Sequence, residues 1–180
     1  MLSKKMVEAI NSQINKEIYS AYLYMAMSAS STAMGFKGAA TWFMVQYHEE
    51  MVHAMKFYEY VTDQGGGLKL AAIAEPGSKY ASLLDMYEKT YAHEQTVTAS
   101  INNLMELAIA EKDHASQALL AWYVTEQVEE EKNDTEIIQT LKMIGSNTSA
   151  LFLYDKELGA RMVTVPTDFS KGVAAAMKAA

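Results

Sequence analysis

Only two prolines, Pro76 and Pro166, interrupt this chain. On either side of Pro76 the apolar residues recur every ~3.6 positions, which is the spacing of one helix face. The first expectation is therefore an all-α fold, cut into pieces by glycine. Segment A runs from about Ser3 to Thr32 and stops at "MGFKG". Segment B runs from about Phe36 to Asp63 and stops at Gly65-Gly66-Gly67. Segment C runs from about Ser82 to Glu111, before "EKDH", and segment D from about His114 to Gly145. Asn147 or Thr148 can cap a short fifth helix that continues to Leu158.

The links between segments set the topology. A–B and C–D are joined by a few residues each, which makes them antiparallel hairpins. The B–C link, "QGGGLKLAAIAEPGSKYA", is far longer. A helix of about 28 residues is about 42 Å long, and a link of about 18 residues reaches about 60 Å when extended. The link can therefore run back along the whole bundle and leave B and C parallel. The expected architecture is a four-helix bundle with one long B–C crossover and a short fifth C-terminal helix. One domain is expected over residues 1–162, with a plain tail over 163–180.

The chain has no cysteine. That excludes a disulfide scaffold, thiolate metal sites, iron–sulfur clusters and cysteine nucleophiles, and it suits a reducing compartment. Polar residues from Glu8 to Glu17 break up any secretory signal, and no segment reaches the ~18 apolar residues of a membrane span. The expected setting is the cytoplasm, with no membrane partner. A net charge of -7 argues against nucleic acid and suits cationic ligands.

At 100° per residue several acids fall on apolar stripes. Glu17 lies with Ile10, Ile14, Ala21 and Tyr24. Glu50 lies with Phe43, Ala54 and Phe57, and His53 follows one turn later. Glu94 is flanked by Tyr87, Tyr91, Val97 and Ile101. Gln127 sits between Leu120 and Tyr123 on one side and Ile138 and Leu141 on the other, with Glu130 one turn along. Each long helix thus sends a polar group toward the bundle axis. A buried unpaired carboxylate would take up a proton, and several of them would repel one another, so something cationic belongs among them. Carboxylates with one imidazole and no sulfur are hard ligands suited to iron or manganese, and Glu-x-x-His places both donors on one side of a helix. The order "HEEMVH" lacks two histidines four apart, so it is not a zinc-protease helix. The bland alternative, inward acids paired with Lys or Arg, fits one helix better than four.

A second acidic group, Glu126, Glu129, Glu130 and Glu131, lies on and beside the D stripe, as Glu49 does on B. Its residues alone read equally well as a solvated face. Tyr24 reads as a core tyrosine or as a donor to a site ligand. His48 points away from Glu50, and His93 and His114 have no partner at ligand spacing. The thirteen methionines are mostly adaptable core filler.

Taken together, "NKEIYSAYLY", "HEEMVH", "AHEQTVT" and "TEQVEEE", with the C-terminal "LFLYDKELGAR", resemble the ferritins, specifically the bacterial non-haem type, from about residue 3 to 161. The resemblance implies a ferritin-like bundle with a ferroxidase centre, where Fe²⁺ reacts with dioxygen before ferric product moves to a mineral core. It implies one iron held by Glu17, Glu50 and His53, and a second by Glu50, Glu94 and Gln127, with Glu130 a further donor. It implies a third iron site at Glu49, Glu126, Glu129 and Glu130, Tyr24 as an electron donor, and a hollow shell of 24 subunits. Gln127 and Glu130 stand where haem-binding members carry a second Glu-x-x-His, which favours a storage centre. Met51 occupies the position of a haem ligand in bacterioferritins, but non-haem members share it, so no haem is expected. The competing reading is a di-iron or manganese–iron oxidase acting on an organic substrate. A helical scaffold without catalysis comes last.

Overall fold

The computed structural model describes residues 2–173. They form five helices in the order α1 (Lys4–Ala33), α2 (Lys37–Asp63), α3 (Leu83–Ala110), α4 (His114–Ile144) and α5 (Thr148–Leu158), and no strand occurs among the described residues. Each start has a local cause. Ser3, Ser82, Asp113 and Asn147 accept from the backbone N–H three residues on, in α1, α3, α4 and α5 respectively, satisfying an N–H that the helix leaves free. At α3 Asp85, whose N–H bonds to Ser82, also accepts from the N–H of Ala81, the residue before the cap, at 2.8 Å.

Helix α2 has no such cap of its own. Asp155 of α5 supplies one, accepting from the N–H groups of Gly38 and Ala39 at 3.0 and 2.9 Å. The approach is so close that a Cβ on Gly38 would fall 1.5 Å from the carbonyl oxygen of Asp155, so only glycine fits. The fifth helix is thereby fixed to the start of the second.

The crossover runs along α1, held by two asparagines one turn apart. Asn11 donates to the carbonyl of Gly67 at 2.9 Å and accepts from the N–H of Lys69 at 3.0 Å. Asn15 donates to the carbonyls of Ala71 and Ala72, each at 3.2 Å. Neither partner would be supplied by secondary structure, so the long link is tied down without strands or helices of its own.

The interior is divided along its length. One apolar cluster contains Met6, Ile10, Ile14, Phe57, Val61, Ile101, Leu120 and Tyr123, and the other Tyr24, Met27, Phe43, Met86, Tyr87, Ile138 and Leu141. Between them lies a layer of buried Glu17, Gln46, Glu50, His53, Glu94, Gln127 and Glu130. Beyond α5, Val173 is buried and its N–H is bonded to the Glu59 carboxylate. Of the tail expected over 163–180, residues 174–180 lie outside the described ones.

Candidate metal centre

All four long helices supply the polar layer, and the stripes read from the sequence are the faces that turn inward. Glu17, Glu50, His53, Glu94, Gln127 and Glu130 are each at most 4% exposed, a depth at which acids are rare unless something compensates them. Glu17, Glu50 and His53 each offer a ligand atom, and these atoms lie within 4.8 Å of one another. His53, Glu126 and Glu130 form a second such group. His53 joins the two, with Nδ1 3.5 Å from Glu50 and Nε2 3.8 Å from Glu126.

Hydrogen bonds account for only some of the donors and acceptors. Gln13, one turn before Glu17, donates to its Oε1 at 2.8 Å. Gln46, one turn before Glu50, reaches across to Glu130 at 2.8 Å. Gln127 donates to Glu94 at 3.0 Å, and the Tyr24 hydroxyl donates to the other oxygen of Glu94. Tyr123 anchors the backbone, donating to the carbonyl of His53 at 2.7 Å. Oε2 of Glu17 and Oε2 of Glu50 are buried and accept no hydrogen bond, the second having only the His53 imidazole 3.5 Å away. An unmade bond on a buried oxygen costs about 1–3 kcal/mol or more, a cost that a bound cation would offset at these two atoms.

The electrostatics agree. Burial raises the carboxyls of Glu17 and Glu94, and raises that of Glu50 well above its ordinary range, with His53 pulling back on all three. Burial and the Glu94 charge push Glu130 up to about 8. Burial works against charge on His53, but Glu50 and the acids around it outweigh burial and lift the imidazole well above its usual value. Without cations, the layer holds protons in their place. The donor set of oxygens and one imidazole, with no sulfur, fits iron or manganese.

The residues expected to bind a third ion are less tightly gathered. Glu126 and Glu130 meet at His53. Glu49 is instead engaged by Arg161, which donates to it at 2.5 Å and stacks 4.6 Å over Trp42. Glu129 is exposed. Sequence reading passed over several groups. Gln13 and Gln46 each stand four residues before an inward acid, a spacing that would have revealed them. Asp134 stands seven after Gln127 on the same α4 face. It is 1% exposed with both carboxylate oxygens unpartnered, and burial, followed by the charges of Glu94 and Glu130, pushes it up to about 9. Arg161, beyond α5, carried no signal that it would meet Glu49. His93 is held by Ser20 at 2.8 Å and is not part of either group of converging donors.

The chain is similar to known proteins along most of its length. The chain is 40% identical to the bacterial non-heme ferritin of Staphylococcus aureus (strain USA300) over 161 residues, 89% of this chain and 97% of that one. It is equally identical to the bacterial non-heme ferritin of Staphylococcus saprophyticus, covering 89% and 96%. Among solved structures it superposes with a TM-score of 0.89 and 48% identity on an open-pore ferritin from the hyperthermophilic archaeon Archaeoglobus fulgidus, spanning 90% of this chain and 100% of that chain. A humanized archaeal ferritin gives 0.90 at 46% identity, over 91% and 99%. The model of the ferritin-like domain matches residues 7–144, and with that match, the crossover bundle and the acid-lined layer in agreement, the chain belongs to the ferritin family.

Proposed function

We propose that this protein stores iron, oxidising Fe²⁺ with dioxygen at a pair of sites inside its own bundle and depositing ferric product in a hollow shell of 24 copies in the cytoplasm. One ferrous ion is held by Glu17, Glu50 and His53, the other by Glu50, Glu94 and Gln127, with Glu50 between them and Glu130 beside them. The observation that carries this reading is the convergence of Glu17, Glu50 and His53 within 4.8 Å while an oxygen on each of the two carboxylates accepts no hydrogen bond. A third position near Glu126 and Glu130, with Glu49 and Glu129 further out, is part of the same reading. So is Tyr24, whose hydroxyl touches Glu94 and stands ready to donate an electron.

The chain's own part is to bind, orient and exchange protons. Fe²⁺ supplies the electrons and dioxygen takes them. Each ion displaces protons that the layer holds when empty, because a ligating carboxylate or imidazole must be deprotonated. Binding therefore tightens as the pH rises toward the value near 8 at Glu130.

Anaerobic addition of Fe²⁺ followed by air tests the proposal. The parent oxidises iron faster than bulk solution, whereas Glu50→Ala or His53→Ala slows it by more than about 100-fold, beyond the usual loss of an outer partner. Oxidation at the bulk rate in the parent would refute the reading. Light scattering on the same sample reports the shell.

A further inference from the structure

Eight threonines outside the polar layer behave alike. Thr32, Thr41, Thr62, Thr90, Thr96, Thr125, Thr135 and Thr140 each donate their hydroxyl to the carbonyl four residues back, the ordinary outlet for a mid-helix hydroxyl. Thr98 does not. Although it stands four residues after Glu94, it donates across to Oε1 of Glu131 on α4 at 2.6 Å.

A hydroxyl has one proton, and a carboxylate can only accept. With that proton engaged by Glu131, Thr98 presents only lone pairs to its other neighbour, the Gln127 side chain. Nε2 of Gln127 lies 3.3 Å from Oγ1 of Thr98, 3.0 Å from Oε2 of Glu94 and 3.4 Å from the Glu94 carbonyl oxygen. All three neighbours are acceptors, so this edge of the amide has to be the nitrogen. The amide oxygen, the only atom of Gln127 able to ligate a cation, is thereby kept on the other edge. A cation on the Glu94 carboxylate would compete with the shortest of these bonds, leaving Thr98 as the nearer of the two remaining acceptors. Gln127, Thr98 and Glu131 border a cavity of about 280 Å³ between α3 and α4, with Ile101, Val124 and Val128, and water in that cavity would satisfy either end of the amide. The two ends of a glutamine amide are nearly the same size, so hydrogen bonding rather than shape selects between them.

We propose that Thr98 and Glu131 are positioning residues, a hydrogen-bonded pair outside the ligand set that fixes which end of the Gln127 amide meets the second ferrous ion. The proposal rests on the reading of Gln127 as a ligand. Neither residue touches iron. Glu131 orients the Thr98 proton, Thr98 selects the amide nitrogen, and the oxygen is left free for the cation.

Anaerobic calorimetric titration with Co²⁺, which binds without being oxidised, tests the pair. In Thr98→Val, which keeps the shape but removes the acceptor, one of the two interior binding steps weakens by about 10–100-fold, the usual effect of losing an outer hydrogen-bond partner. The other step, carried by Glu17, Glu50 and His53, stays within about twofold. Thr98→Ser restores the weakened step, and Glu131→Leu weakens the same one. If Thr98→Val binds both ions like the parent while Gln127→Ala loses one, Gln127 is a ligand and the positioning role is overturned. Equal weakening of both steps, with a lower melting temperature, would reduce Thr98 to a structural residue and also overturn it. If Gln127→Ala itself binds both ions like the parent, the ligand assignment fails and takes the positioning role with it.

Discussion

The bundle buries its acids in two ways. Glu17, Glu50, Glu94 and Glu130 converge from four helices on one layer that also holds His53, Gln46 and Gln127, and half of their carboxylate oxygens accept a hydrogen bond. Asp134 lies one turn beyond Glu130, inside the apolar half that contains Phe43, Tyr87 and Ile138, and neither of its oxygens has a partner. The hydroxyl of Tyr87 is unpartnered as well. Both environments raise carboxyl pKa values through burial, yet only the first brings an imidazole and two further acids to a common point. Burial alone therefore does not mark a metal site. Convergence does, because several donors around one point lower the free energy of a cation that a lone carboxylate cannot hold.

The largest expected effect separates the two directly. Saturating Co²⁺ at about 100 times its dissociation constant should stabilise the parent by about 2.7 kcal/mol per bound ion, read as a rise in melting temperature. Glu50→Leu should lose most of that rise and Asp134→Val should keep it. An equal response in both variants would erase the distinction.

Asp134 should show a smaller effect of opposite kind. Its carboxyl sits far above the ordinary value of 3.8, at about 9, so the folded chain keeps a proton that the unfolded chain releases. Its contribution is intact below the ordinary value and is lost as pH rises toward 9. Asp134→Val should therefore stabilise the metal-free protein at neutral pH by about 1–3 kcal/mol, the usual cost of an unsatisfied buried group. It should also flatten the decline of melting temperature with pH, leaving a shallower slope from Glu130. Unchanged pH dependence would mean that Asp134 has a partner after all.

The smallest effect concerns Glu49, whose link to Arg161 joins α2 to the segment after α5. Both side chains are partly exposed, at 14% and 22%, so Arg161→Ala should cost about 1 kcal/mol while leaving iron oxidation within about twofold. A large loss of oxidation would tie Arg161 to the centre itself.

Much of this was legible in the sequence. The four stripes, the crossover length and the glycine stops suffice to fix the helices, because each rests on local periodicity and reach. The inward set of Glu17, Glu50, His53, Glu94 and Gln127 was legible for the same reason. The partners that complete the layer were not. Arg161 meets Glu49 across more than a hundred positions, a pairing that depends on how α5 docks at Gly38. Thr98 reaches Glu131 only because α3 and α4 lie side by side. Asp134 was visible in register, seven residues after Gln127, but it was hidden behind a run of glutamates that drew attention to itself.

The central claim is that the interior acids are arranged around divalent cations, and anomalous X-ray scattering from anaerobically Fe²⁺-loaded crystals tests it most directly. The account predicts two iron peaks inside each bundle, one among Glu17, Glu50 and His53 and one among Glu50, Glu94 and Gln127, with none at Asp134. Iron confined to the outer surface, with the layer empty at saturating Fe²⁺, would contradict it.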